Sequence, residues 1–368
     1  MPTSPAKISH VARLCHRAAE HYGTTFSHVF SRIVRLRALE RFSPKESFLW
    51  GLADPALPGR ELARHVSRSR LAALQRRHNP MSLSYLTEDK ATFYAYCTGA
   101  GIQVPTFYGV YHRDVGWSRT GGLVRGGENG WQRFFSEDTG ADLVIKPSKG
   151  VYARGLRVLR RRGDSARDGF LDASLGEDHG EPISLDDLRA ALDADPRYDT
   201  FVVQDRVTTH PELHRLSGSD AVQTVRAVTF LDDEHRPRLL FACLKVIVGG
   251  NMSDNFDFGR SGNLLADIDL ESGRLDSVRG VDPSGFGLHD HAEHPATGVV
   301  FDRFVLPHWP KVRRLAEEAA VKFHPLRTIG WDIAITPDGP AILEGNVWWD
   351  PLHNAHQLVP RYLALFDE

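Results

Sequence analysis

The stretch GWDIAITPDGPAILEGN, residues 330–346, decides the fold. Two apolar segments flank a Pro-Asp-Gly sequence, which predicts two β-strands joined by a tight turn. A turn centred on Asp338 places Asp332 opposite Glu344, and Asn346 projects from the same face because side chains alternate along a strand. The ribbon is therefore expected to bring two carboxylates and an amide together.

Oxygen ligands of this kind suit Mg²⁺, which leaves its other coordination positions to water or phosphate oxygens. The alternative is an exposed polar face that binds no ion. The apolar neighbours Ile333, Ile335 and Ile342 favour a packed ribbon over an exposed one. The sequence thus predicts a magnesium site with three ligands, Asp332, Glu344 and Asn346.

A second segment, VIKPSKG at residues 144–150, supplies a candidate phosphate site. Lys146 ends an apolar strand, where its ammonium can reach a phosphate. Gly150 and Gly155 would allow a turn to lay backbone N–H groups over phosphates. The segment is not a Walker A loop, because Leu156-Arg157 stands where Lys-Ser/Thr is required. A surface lysine before a turn is the alternative interpretation.

Five segments follow one another in an informative order. They are Asp89-Lys90 at the start of a helix, IQVPTF, VIKPS, FVVQDRV and a carboxylate strand ending in LEGN. This order resembles that of the ATP-grasp enzymes over about residues 86–351. The sequence is most similar to the sugar-transfer-associated ATP-grasp proteins, and more distantly to D-alanine–D-alanine ligase. The resemblance implies a mixed α/β (α+β) fold with two lobes that hold ATP between them.

The resemblance also implies which residues bind the nucleotide. Lys90 and Lys146 match the lysines that contact the ATP phosphates, and the loop from Ser148 to Gly155 matches the mobile lid above them. An interlobe strand would border the adenine with three residues, Gln204, Asp205 and Val207. The cofactors implied are ATP and Mg²⁺, with Asp332, Glu344 and Asn346 as the metal ligands.

At the reacting centre, the strand QTVRAVTF resembles a family strand that directs an arginine, here Arg226, at the phosphate or acyl group. Lys245 and Asn255 match positions beside that centre. The D-alanine ligases carry an oxyanion-stabilising arginine where Gly330 stands here, so Arg226 or Lys245 is the expected substitute. No general base is assigned, although His294 is a candidate, and the cluster HDHAEH leaves a zinc site open as an alternative.

These roles predict an ATP-dependent carboxylate–amine ligase that forms an acyl phosphate, with a small-molecule acid and amine as substrates. The family resemblance suggests a part in cell-surface saccharide or specialised metabolite biosynthesis. Two alternatives stay open. One is a kinase-like phosphotransferase, and the other is a catalytically silent module that binds nucleotides or nucleic acid.

The length of 368 residues suggests two or three domains at about 150 residues each. We expect a basic helical region at 1–85, an N-terminal ATP-grasp lobe with the lid at 86–206, and a C-terminal lobe with the metal site at 207–368. Residues 1–80 carry 14 Lys and Arg against five Asp and Glu, a net charge of +9. An anionic partner is one interpretation, and a solvated helical face or a segment docked on the acidic remainder is the other.

Composition also bears on location. The three cysteines are far apart, which is typical of a reducing compartment. No run of about 18 apolar residues is present, so no transmembrane segment is predicted. We therefore expect a cytoplasmic protein.

Overall fold

The computed structural model describes residues 5–113, 115–120, 122–125, 128–150, 154–163, 168–174 and 180–350. It has a mixed α/β fold in which helices pack on two antiparallel sheets. The helices of the described ranges are α1 (Pro5–His21), α2 (Phe26–Leu39), α3 (Pro44–Leu49), α4 (Gly59–Leu62), α5 (Arg68–His78), α6 (Tyr85–Glu88), α7 (Lys90–Gly99), α8 (Glu128–Arg133), α9 (Leu185–Asp193), α10 (Pro211–Ser217) and α11 (Trp309–Lys322). Short 3₁₀ turns cover Met81–Leu83 and Asp257–Gly259, and a π-helical turn covers Phe134–Asp138.

The strands of the described ranges are β1 (Phe107–His112), β2 (Val115–Ser118), β3 (Leu123–Arg125), β4 (Asp142–Pro147), β5 (Arg157–Arg161), β6 (Phe170–Asp172), β7 (Glu181–Ile183), β8 (Thr200–Asp205), β9 (Thr224–Leu231), β10 (Pro237–Val246), β11 (Leu264–Ile268), β12 (Leu275–Val281), β13 (Leu288–Asp290), β14 (Thr328–Thr336) and β15 (Gly339–Asn346). In this part of the chain the first sheet has the order β3-β2-β1-β8-β4-β5-β6-β7. The second has the order β13-β12-β11-β10-β9-β14-β15. The two sheets approach each other where α7 packs against both β1 and β15.

The ribbon β14–β15 has the pairing that its sequence predicts at the polar end, where Asp332 lies opposite Glu344. The turn itself differs from the prediction. Thr336 pairs with Gly339, so the turn is centred between Pro337 and Asp338 rather than on Asp338. A register shift after Asp332 compensates for this half-residue difference. The carboxylates face each other because two offsets cancel.

Other elements cover both faces of the second sheet. Side chains alternate between these faces along each strand, which separates apolar from polar side chains. On one face, Trp331 and Ile333 of β14 pack in the core cluster that contains α11. On the other, Leu71 of α5 packs with Val228 and Trp349. The odd-numbered residues of β14 thus build the α11 side, while Asp332 lies on the side that α5 partly covers.

Helices α1 to α5 precede the first sheet and are attached to the second. Gln75 of α5 donates a 2.7 Å hydrogen bond to the Trp349 carbonyl. Asn79 donates to the Thr328 carbonyl at 2.8 Å and accepts from the Thr328 N–H at 3.0 Å, as a neighbouring strand would. None of the helices in the described ranges combines the length and the apolar content needed to span a lipid bilayer.

Candidate active site

The N-terminus of α7 brings Lys90 to the ribbon β14–β15 of the second sheet. Asp89 caps the helix by accepting a hydrogen bond from the Thr92 N–H at 2.9 Å. Capping fixes the first turn and therefore the position of Lys90. The Lys90 ammonium lies 3.7 Å from the Glu344 carboxylate and donates to the Gly150 carbonyl at 3.0 Å. One side chain thus contacts both the predicted metal site and the start of the predicted lid.

Lys146, at the end of β4, meets the same ribbon through a tyrosine. Its ammonium donates a 2.8 Å hydrogen bond to the Tyr94 hydroxyl, which in turn donates to the Leu343 carbonyl at 2.6 Å. Burial lowers the pKa of Lys146 to about 7, and the nearby charge of Lys90 acts in the same direction. Glu344 opposes this shift. The two lysines and the ribbon, far apart in sequence, therefore form one site.

Tyr94 was not among the residues that the sequence singled out. It lies four residues after Lys90, one helical turn further along α7. That spacing was a usable signal, because a tyrosine on the same helical face as Lys90, the predicted phosphate contact, faces the same side of the helix. Its side chain is fully buried and its hydroxyl joins β4 to β15.

Asp332 sits at the centre of a buried ion cluster. Arg226 binds it with two hydrogen bonds, Nε to Oδ1 at 2.8 Å and Nη2 to Oδ2 at 3.0 Å. Lys245 Nζ lies 2.8 Å from Oδ1. The contacts follow from sheet order, because β9 lies between β10 and β14 and Arg226 pairs directly with Asp332 across the ladder.

This cluster keeps the aspartate ionised. Burial by itself would raise the pKa of Asp332, but the charges of Arg226 and Lys245 and their hydrogen bonds outweigh it. The pKa of Asp332 is therefore held well below its usual range. The carboxylate is ionised, and both of its oxygens already contact cationic donors.

The other two predicted metal ligands are more open. The Glu344 side chain is 35% exposed, and its carboxylate contacts Lys90. Asn346 Nδ2 lies 3.4 Å from Asp332 Oδ2 and 3.4 Å from the Gly330 carbonyl, which orients the amide toward the aspartate. Two carboxylates and an amide in this arrangement fit the donor preference of Mg²⁺. Asp332 could join such a site only in exchange for part of its contact with Arg226 and Lys245.

The predicted adenine border lies on β8. Gln204 is buried there, and its amide N–H₂ donates to the Asp205 carbonyl at 3.4 Å. Within the described residues, no group donates to Gln204 Oε1, although this atom is buried. An unsatisfied buried acceptor is costly, so a ligand donor at this place would be favourable.

The neighbours of Gln204 have different environments. Asp205 accepts a 2.5 Å hydrogen bond from the Tyr108 hydroxyl, and its N–H donates to the Thr106 carbonyl at 2.8 Å. Val207 lies two residues beyond the end of β8 and is half-buried. These contacts leave Gln204 as the residue of the three with an unused buried polar atom.

The lid segment is described at its two ends, and residues 151–153 lie outside the described ranges. Ser148 is tied to α7, because its hydroxyl donates to Asp89 at 3.0 Å and its carbonyl accepts from the Lys90 N–H at 2.9 Å. Gly155 has φ +75°, and a Cβ there would lie 3.0 Å from Pro147 Cγ. The left-handed backbone and the close approach both require glycine at this end.

The residues predicted to line the reacting centre do not all converge. Lys245 contacts Asp332, and it also lies 3.9 Å from Asp254. Asn255 follows Asp254, but the hydrogen bonds recorded for it run through its backbone, to Ser253 and Asn263. Asp254, which the sequence analysis did not select, holds the start of β9 by accepting from the Thr224 N–H at 2.9 Å.

Gly330 is explained by packing. A Cβ at this position would lie 2.6 Å from Trp349 Cβ and 3.2 Å from Arg226 Cδ. The missing side chain therefore gives room both to the indole and to the arginine. Arg226 occupies space beside Asp332 that a longer side chain at position 330 would also fill.

The histidines of the candidate general base and zinc cluster make contacts within the protein. His294 is buried, with Nε2 2.8 Å from the Ile247 carbonyl and Nδ1 accepting from the N–H groups of Ala296 and Thr297. The His289 and His291 rings lie with centroids 4.2 Å apart and are tilted by 45° to each other. Among the described residues, no group of three or more His, Cys, Asp or Glu side chains could hold a metal ion.

Comparison with known proteins adds context. The structure is similar to an L-amino acid ligase from Bacillus licheniformis, with 9% identity, a TM-score of 0.35, and coverage of 71% of this chain and 40% of that one. For the D-alanine-D-alanine ligase from Coxiella burnetii, the identity is 10% and the TM-score is 0.40, with coverage of 78% and 59%. An ATP-grasp ligase complexed with a minimal precursor is 16% identical with a TM-score of 0.37, and the coverage is 78% and 64%.

This chain thus spans less than two thirds of the length of each of these three proteins. A search of curated proteins found no match. A family model, that of the sugar-transfer associated ATP-grasp proteins, matches residues 69–360. That range includes both sheets and every residue of the site described above. The chain belongs to the sugar-transfer associated ATP-grasp family.

Proposed function

We propose that the chain is an ATP-dependent ligase that activates a carboxylate as an acyl phosphate and joins it to an amine. The observation that carries the proposal is the convergence of Lys90 and Lys146 from the first lobe on the Glu344 ribbon of the second. Membership of an ATP-grasp family supports ATP as the nucleotide. The lobes are proposed to extend over residues 86–206 and 207–368.

In this proposal the two lysines bind the ATP phosphates, and the loop from Ser148 through Gly150 to Gly155 covers them. The free Oε1 of Gln204 accepts a hydrogen bond from the adenine amino group, while the backbone near Asp205 and Val207 borders the base. This arrangement would satisfy the buried acceptor that the described residues leave without a donor.

The metal is proposed to be Mg²⁺, held by Glu344, Asn346 and Asp332. When bound, it would neutralise charge on the phosphates during transfer. The protein's own contribution is a pair of carboxylate side chains set opposite each other on the ribbon β14–β15. Lys90, 3.7 Å from Glu344, would hold the phosphates next to that ribbon.

The chemistry needs a cation at each stage. A substrate carboxylate attacks the γ-phosphorus, the bond to the β,γ-bridging oxygen breaks, and ADP leaves. An amine then adds to the acyl carbon, and the tetrahedral oxyanion collapses with loss of phosphate and a proton. We assign Arg226 and Lys245 to the oxyanion, because they are the buried cations beside the ribbon. Asn255 is proposed to line the same centre from its loop.

The substrates are proposed to be a small-molecule acid and amine of saccharide or specialised metabolite biosynthesis. We also propose that the protein acts in the cytoplasm, where its three buried free thiols stay reduced. A kinase-like transfer to a hydroxyl is the alternative that uses the same nucleotide site.

The test is a screen of acid and amine pairs, read out as ADP and free phosphate. Amine-dependent release of both products, in equal amounts, is expected of the ligase. ADP formation that consumes a hydroxyl compound and releases no phosphate would identify the phosphotransferase. Failure of the purified protein to form ADP with any pair, despite binding ATP, would favour a silent nucleotide-binding module.

A further inference from the structure

Helix α2 presents an apolar stripe to solvent. Phe30 is 45% exposed and Val34 is 51% exposed, and the two are spaced one helical turn apart with Ala38 one turn further. At the start of the helix, the half-buried Phe26 packs against the core cluster that contains Cys15 and Phe48, and its ring stacks on the Phe30 ring with centroids 5.6 Å apart. The exposed stripe thus begins at Phe30 and is supported on one side by Phe26.

The opposite face of α2 is already used by the fold. Val29 and Ile33 are buried in a cluster with Cys15 of α1, Phe48 of α3 and Phe286 near the second sheet. That contact settles which way the helix faces, because one amphipathic helix cannot bury both sides against the same neighbours. Phe30 and Val34 remain outside the protein core.

The charges beside the stripe are uncompensated. Helix α2 contains three arginines and no acidic residue. Helical periodicity places Arg37 on one flank of the stripe, next to Phe30 and Val34. It places Arg35 on the other flank, which is also exposed. Among the described residues, neither Arg35 nor Arg37 forms an ion pair. Several exposed arginines of other elements do pair with a nearby carboxylate, in the pairs Arg197–Asp195, Arg215–Glu212, Arg236–Asp232, Arg260–Asp257 and Arg314–Glu318.

We propose that the exposed side of α2 is a docking surface for a membrane that contains anionic phospholipids. Aromatic and aliphatic side chains flanked by arginines are the combination that lies in the interface of such a membrane, with the apolar groups below the head groups and the cations among the phosphates. The phosphates of RNA would bind the arginines, but RNA would not bury the aliphatic side chains of the stripe. The net charge of +9 over residues 1–80 adds long-range attraction to the same surface.

This surface is independent of the nucleotide site, since α2 contributes none of the residues proposed to bind ATP or metal. Membrane binding can therefore be measured with the full chain and no substrate. Flotation with phosphatidylcholine vesicles, with and without phosphatidylglycerol, is the assay. We expect flotation with the anionic vesicles alone, weakened by added salt.

Two variants separate the apolar from the electrostatic contribution. Phe30→Ser with Val34→Ser is expected to reduce partitioning at least about tenfold, because two buried apolar groups are lost. Arg35→Gln with Arg37→Gln is expected to cost about fivefold per arginine. The matched control is Val321→Ser with Arg314→Gln on α11, where the residues are exposed to a similar or greater degree, and it should bind like the unaltered protein.

Equal flotation with neutral vesicles, or unchanged flotation of both variants, would overturn the proposal. So would a dimer in solution that Phe30→Ser with Val34→Ser dissociates, because a second copy would then cover the stripe. Salt-dependent RNA binding without vesicle binding would also overturn it. All variants replace exposed side chains, and circular dichroism checks that each is folded.

Discussion

Arg226 and Asp332 form a bidentate ion pair at the centre of the second sheet, with hydrogen bonds of 2.8 and 3.0 Å. The charge of Asp332, a predicted metal ligand, is therefore neutralised by the chain's own cations. A substrate anion that drew Arg226 and Lys245 toward itself would release the same oxygens for a metal ion. Substrate binding and metal binding at Asp332 are thus expected to support each other.

Replacing Arg226 by alanine leaves a buried carboxylate with Lys245 as its one strong cationic partner. Breaking a buried pair from one side costs about 3–5 kcal/mol, so Arg226→Ala should lower the free energy of unfolding by that amount. Urea unfolding measures the change, and Arg314→Ala on the exposed face of α11 is the control. A loss no larger than that of the control would mean that the pair contributes little to stability.

The same variant also tests the catalytic role. If Arg226 acts on the oxyanion, turnover should fall more than nucleotide affinity. The comparison requires kcat and the ATP dissociation constant of the folded variant. Equal losses in both would place Arg226 at the nucleotide instead.

Glu344→Gln removes one charge from the ribbon with almost no change in volume. We expect ADP formation to be abolished while the protein stays folded, because the partly exposed carboxylate is replaced without a packing defect. Product analysis and thermal unfolding are the measurements. Asp338→Asn in the turn of the same ribbon is the matched control, and unaltered turnover of Glu344→Gln would refute the assignment.

Tyr94→Phe deletes a hydroxyl that contacts both Lys146 and the Leu343 carbonyl. The variant should lose about 1–3 kcal/mol of stability, because a buried carbonyl and a buried ammonium each lose a partner. It should also weaken ATP binding, since Lys146 is no longer held beside β15. Tyr96→Phe on the same helix is the control, because Tyr96 donates to the Lys322 carbonyl, away from Lys90 and Lys146. Equal effects on ATP affinity in the two variants would remove Tyr94 from the site.

The pKa of Lys146, lowered to about 7 by burial, predicts pH-dependent nucleotide binding. Below that pH the side chain is protonated and attracts phosphate, and as pH rises through about 7 the charge and part of the affinity are lost. Calorimetric titration with ATP at several pH values measures the effect. Lys146→Arg should flatten the profile, because arginine stays charged. A profile that is the same in both proteins would show that another group titrates.

The same shift affects stability with a defined sign. The pKa of Lys146 is about 7 in the folded protein and has its ordinary value of 10.5 in the unfolded chain. Between these values the unfolded state binds more protons, so the contribution of Lys146 to stability rises with pH across this window. Below pH 7 the full cost of burying the charge applies. Lys146→Met should remove this slope from the difference between the two unfolding curves, and an unchanged slope would contradict the assignment.

The ribbon could be predicted because its information is local. Asp332 and Glu344 are twelve positions apart, and strand alternation with a tight turn determines which face each occupies. The exact turn and the register shift after Asp332 could not be predicted from the sequence pattern, since both depend on small differences in backbone conformation. The order of motifs along the chain was sufficient to indicate the family.

By itself, the sequence determined the family, the polar face of the ribbon and the lysines that approach it, because these depend on alternation, spacing and motif order. Tertiary structure alone decided that Asp332 is held by Arg226 and Lys245, that Tyr94 joins Lys146 to β15, and that Phe30 and Val34 remain uncovered. These contacts join segments up to about 250 residues apart, or depend on which helix face the rest of the chain leaves open. The order of strands in a sheet and the docking of helices on it are properties of the whole folded chain, and no local pattern specifies them.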